Sequence, residues 1–85
     1  MGRLHRKVIR IIRERFKDAE DSLDEVRSTG RVLGVIVSRD SEGLDFPERQ
    51  ERLNRLLRRK LTPEEFADVG PIAALTPAEA TVKPL

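Results

Sequence analysis

The chain contains no cysteine, tryptophan or tyrosine, one histidine and three phenylalanines among its 85 residues. Each absence removes a class of function. Without cysteine there is no disulfide, no thiolate metal site and no cysteine nucleophile. One imidazole, His5, cannot build the nitrogen and sulfur ligand sets of zinc or iron sites. Ser22, Ser28, Ser38 and Ser41 have no histidine base within plausible reach, because His5 stands alone on a basic first turn. Long apolar runs are missing too. Val35-Ile36-Val37 falls far below the roughly 20 residues that span a bilayer, and the basic N-terminus lacks the apolar core of a signal peptide. The expectation is a soluble, cytoplasmic protein with no metal, no cofactor, no membrane partner and no catalytic centre.

What is present is charge. Hydrophobic and charged residues each make up 38% of the chain, which allows one modest core beneath a polar skin. That size and balance predict a single domain over residues 1–81, with residues 82–85 as a flexible tail. The net charge of +2 hides an alternation of sign. Residues 1–17 carry seven Lys/Arg against Glu14, and residues 18–26 carry five acids and no base. Residues 49–60 carry six Lys/Arg against Glu51. Blocks of this kind predict separate basic and acidic faces.

Periodicity places the elements. Leu4, Val8, Ile11, Ile12, Phe16 and Ala19 form one apolar stripe, so a first helix is expected from about Leu4 to about Glu20. Residues 22–38 read as a hairpin turning at Ser28-Thr29-Gly30, with a strong strand over Arg31–Arg39. The preceding strand, Ser22–Arg27, is weaker, because Leu23 and Val26 stand at helical spacing; an extension of the first helix is the alternative. Asp45 and Glu48 suggest a capping box, with Pro47 in the first turn of a second helix. Its expected buried stripe is Phe46, Leu53, Leu56, Leu57 and Leu61. Thr62-Pro63-Glu64-Glu65 opens a short third helix carrying Phe66 and Val69 and ending at Gly70. Pro71–Leu75 reads as the last strand, and Thr76-Pro77-Ala78-Glu79 caps one more turn. The order αββααβ predicts an α+β fold, a small three-stranded sheet with helices packed on one face.

Val35-Ile36-Val37-Ser38, Glu42-Gly43, Glu48-Arg49, Asn54 and Leu56-Leu57, in that spacing, resemble the BolA family. Leu75-Thr76-Pro77-Ala78-Glu79 is similar to the family's closing segment. The resemblance implies a fold like that of type II KH domains. It also implies links to DNA binding and transcriptional control, and partnership with a monothiol glutaredoxin-like protein in iron–sulfur handling. This chain departs from the family at its ligands. Gln50 stands where the helix-opening motif usually has histidine. Asp68-Val69-Gly70-Pro71 offers no imidazole before the last strand, and the first hairpin loop has shrunk to Ser28-Thr29-Gly30-Arg31.

The basic helices carry the remaining signal. Arg49, Arg52, Arg55, Arg59 and Lys60 recur at helical steps opposite the leucines, and Gln50 and Asn54 could address base edges. A row of guanidinium groups can bridge successive phosphates. Candidate nucleic-acid contacts are therefore Arg49, Gln50, Arg52, Arg55, Arg59 and Lys60. The three phenylalanines read as core residues rather than stacking platforms. Two other readings stay open, a merely solvated face and a surface for an acidic protein. A protein-interaction module docking at a sheet edge stands beside them.

Overall fold

In the computed structural model, which describes residues 2–81, the chain runs α1 (Arg3–Arg15), β1 (Glu20–Glu25), β2 (Val32–Val37), a 3-10 turn (Arg39–Ser41), α2 (Phe46–Lys60), α3 (Pro63–Ala67), β3 (Val69–Leu75) and α4 (Pro77–Ala80). The strands lie in the order β1-β2-β3, with β1 antiparallel and β3 parallel to the central β2. A parallel pair needs a long crossover, and α2 with α3 supplies it. The fold is the expected α+β arrangement, and the smallest extent of 21 Å fits one sheet layer and one helix layer. The expected tail, residues 82–85, lies outside the described residues.

α1 stops five residues earlier than its apolar stripe suggests. Asp18, Glu20 and Asp21 would have stood at its C-terminus, against the negative end of the helix dipole. Asp18 instead lies before β1, and Glu20 and Asp21 begin it, so Ser22–Glu25 is strand and not helix extension. The helical spacing of Leu23 and Val26 was misleading. Leu23 faces the helices and is buried, whereas Val26 follows the strand and is 36% exposed.

β2 shows why one sequence run can serve two faces. Val32 and Ile36 are buried under the helices, while Leu33, Val35 and Val37 alternate onto the opposite, half-exposed face. Gly34 lies opposite Leu23 with φ of +146°, and a Cβ there would run into the Ser22 carbonyl oxygen and stand 2.9 Å from the Leu23 Cα. β3 begins two residues before Pro71. Its register with β2 shifts between the Val32–Val69 and Gly34–Ile72 pairs, so Gly70-Pro71 sits in a bulge where the missing proline N–H costs no ladder bond.

The caps follow the sequence closely. The Asp45 carboxylate accepts from the Glu48 N–H at 3.0 Å, although Glu48 returns no bond. Thr62 with Glu65 and Thr76 with Glu79 form complete capping boxes. The core joins Val8, Ile11 and Ile12 of α1 to Leu53 and Leu57 of α2, Leu61 beyond it, and Leu23, Val32, Ile36, Ile72 and Ala74 of the sheet. Fully burying a side chain of this kind contributes about 1.5–3 kcal/mol. Leu56 is only half-buried, and the phenylalanines depart further from expectation. Phe16 and Phe66 are half-buried, and Phe46 is 44% exposed. Each has a guanidinium over its ring, from Arg15, Arg58 and Arg49 respectively.

Candidate nucleic-acid interface

α2 turns its leucines onto the sheet, and that orientation fixes where each arginine goes. Arg49 is one turn before Leu53 on the inward side, so its side chain enters the protein and is 7% exposed. Its Nε donates to the Leu44 carbonyl at 3.1 Å and its Nη1 to the Ala74 carbonyl at 3.0 Å. The guanidinium also forks onto the Glu79 carboxylate. Those bonds hold the Glu79 carboxyl down to about 2, with the Thr76 N–H adding to the effect. Arg49 is in turn held more firmly protonated by Glu79, against the opposing effect of burial.

Gln50 has a different structural job. Its Oε1 accepts from the Ala74 N–H at 2.7 Å and its Nε2 donates to the Ile72 carbonyl at 2.8 Å. These are the outward-pointing groups of β3, and one side-chain amide satisfies them as a neighbouring parallel strand would. Arg49 and Gln50, expected as nucleic-acid contacts, are therefore turned away from solvent and committed to the edge of the sheet.

Arg52, Arg55 and Arg59 point outward and are exposed, as is Lys60. The three arginines line an open groove of about 260 Å³ between α2 and the end of α1, together with Arg15, Phe16 and Leu56. Lys60 lies at the end of α2 and is not part of its lining. Arg55 is paired with Glu51 at 2.7 Å, both largely exposed. Arg15 was not singled out in the sequence, and Phe16 was read there only as a core residue. Arg15 belongs to the basic block of α1, but only packing reveals that the end of α1 lies beside the middle of α2.

The groove sits in a wider cationic surface. Arg3, Arg6, Arg10 and Arg13 are exposed on α1, Lys17 just beyond it, and Arg58 on α2. Some of the acids are occupied elsewhere. Asp21 pairs with Arg13 at 2.9 Å and Glu65 with Lys7 at 2.8 Å, and that lysine is the main cause of a lowered Glu65 pKa. Asp18 accepts from the Arg39 N–H and the Ser38 hydroxyl, which lower its pKa in that order. Glu20 and Asp24 project from the face of β1 away from the helices. Part of the acidic block thus stands on the far face of the sheet, while Asp21 and Glu25 are held against α1 and the residue before it.

No family model and no curated protein sequence matches the chain. Among solved structures it is similar to BolA1 from Arabidopsis thaliana, with a TM-score of 0.70 over 93% of this chain and 98% of that one, at 17% identity. The fold is BolA-like. The iron–sulfur ligation that the resemblance brings to mind does not fit this BolA-like chain. There is no thiolate, and the single imidazole is buried, with the His5 Nε2 against the Leu23 carbonyl at 2.7 Å. Among the described residues, no three His, Cys, Asp or Glu side chains are grouped to hold a metal ion. No helix among them is long and apolar enough to cross a membrane.

Proposed function

We propose that this BolA-like domain is a non-enzymatic, cytoplasmic regulatory module that holds the phosphate backbone of nucleic acid between α1 and α2. The observation that supports it is the convergence of Arg15, Arg52, Arg55 and Arg59 on one open groove. Arg55 alone of the four has a carboxylate partner among the described residues, and that carboxylate is itself exposed. Guanidinium groups bind phosphate oxygens in pairs of parallel hydrogen bonds, and four such contacts to a duplex would give a log–log salt slope of about −3.5. Arg49 and Gln50 drop out of the contact set, and Arg15 enters it.

The test is a binding titration against a short duplex and the matching single strand at low and moderate salt. Arg52→Glu with Arg59→Glu should abolish binding at low salt and leave the melting temperature within a few degrees of the parent. Unchanged affinity in that variant, or no affinity in the parent at low salt, would sink the reading.

A protein-interaction role is a second reading, favoured by the uncovered sheet face bearing Leu33, Val35, Val37, Ala73 and Leu75. Strand addition is the less suitable route, since Gln50 and Arg49 occupy the β3 edge and His5 takes the Leu23 carbonyl on β1. By family analogy the partner would be a monothiol glutaredoxin-like protein. It would dock without a shared cluster, so a complex formed under iron–sulfur reconstitution should be colourless.

A further inference from the structure

We infer that the groove takes a nucleotide unit with its base laid on the groove floor, and so prefers single-stranded nucleic acid or a free nucleotide to duplex. This rests on the phosphate-binding reading above and narrows it.

The argument starts from the floor. A site for phosphate alone needs donors and positive charge, and Arg15, Arg52, Arg55 and Arg59 provide both. Between them lie Phe16 and Leu56, both half-buried and both facing the same groove. Apolar surface there does nothing for a phosphate oxygen. It does suit the flat face of a base, which stacks on aromatic side chains with little regard to sequence. The Arg15 guanidinium lies over the Phe16 ring, 5.1 Å from its centroid, so an entering base either stacks on the guanidinium plane or displaces it to reach the ring.

Duplex geometry cannot use this floor. In a duplex the base faces are covered by their neighbours, and the outside offers only phosphates, sugars and base edges. A single strand can turn one base inward while its flanking phosphates stay at the arginine rim. The groove is open and about 260 Å³, so a flat ring can enter it while the sugar and phosphate stay at the rim. A free nucleotide carries the same chemistry, a flat ring and phosphate, and is the other source of the ligand.

The experiment uses the full chain and four probes at equal salt: a single strand of about 12 nucleotides, an abasic strand of the same length and charge, the corresponding duplex, and a nucleoside monophosphate. The expected result is tighter binding to the base-bearing strand than to the abasic strand, by about five- to hundredfold. That ratio should persist as salt rises, while both affinities fall. Phe16→Leu keeps an apolar side chain but removes the aromatic face, and should shrink the ratio of base-bearing to abasic affinity. If Phe16→Leu fails to fold, the comparison on the parent chain still decides. A nucleoside monophosphate that binds as tightly as the strand identifies the free nucleotide as the source and upholds the floor. Equal affinity for abasic strand, base-bearing strand and duplex overturns the inference and leaves the phosphate reading standing. No binding to any probe at low salt overturns both.

Discussion

The two parts of α2 are written in the same alphabet and do opposite things. Glu48-Arg49-Gln50 and Glu51-Arg52-Leu53 differ little as strings. Arg49 is nevertheless inside, bonded to two carbonyls and a carboxylate, whereas Arg52 is exposed at the groove. The difference is one of phase. Arg49 is four residues before Leu53 and shares its inward direction, whereas Arg52 comes one residue before Leu53 and is rotated away. The lesson is that a basic stripe on a helix has to be divided by angle before its residues are assigned to a ligand.

Four substitutions or conditions sharpen this contrast. The largest effect is expected from Arg49→Ala, which strands the Ala74 and Leu44 carbonyls and leaves Glu79 without its cation. The melting temperature should fall by about 10 °C or more in a thermal scan, and Arg49→Lys should recover little of it because lysine lacks the fork. Next comes Gln50→Ala, which leaves the Ala74 N–H and Ile72 carbonyl unpaired. It should cost about 1–3 kcal/mol in urea unfolding.

The third concerns acid. The folded Glu79 carboxyl, at about 2, lies below its ordinary 4.5. Its contribution is therefore complete above about pH 4.5 and is lost as pH falls towards 2. The stability difference between the parent and Glu79→Gln should be constant above about pH 5 and shrink below it. A difference that grows on acidification would contradict the Arg49–Glu79 pairing. The smallest effect is expected from Arg55→Ala. Its partner Glu51 is exposed, so unfolding should change by less than about 0.5 kcal/mol. A change in the melting temperature as large as that of Arg49→Ala would erase the contrast.

Much of the fold was legible because the local signals agree with one another. The leucine phase of α2, the proline-led caps at Thr62 and Thr76, and the β-branched run of β2 all point the same way. The boundary of α1 was harder. The stripe from Leu4 continues through Phe16 and Ala19, and only the acids that follow argue for stopping. The short strand β1 is polar in five of its six positions, so alternation was faint.

The site was legible in composition and not in membership. The segments that carry the family resemblance, Glu48-Arg49 and Thr76-Pro77-Ala78-Glu79, meet in space through the Arg49–Glu79 pair. What the resemblance detected is a fastening of α2 to the end of β3. Phe16 looked like core because its spacing is that of the apolar stripe, but it lies just beyond α1, where packing is incomplete. No linear pattern announces a groove made by residues 15–16 and 52–59.

β3 is Val69-Gly70-Pro71-Ile72-Ala73-Ala74-Leu75, seven residues without a charge, at the border of an open sheet. Past the bulge at Gly70-Pro71, the run Ile72–Leu75 is an edge on which another copy's strand could pair. The Gln50 amide blocks that edge at its most apolar stretch, so a single neutral side chain helps keep the protein dispersed in a crowded cell.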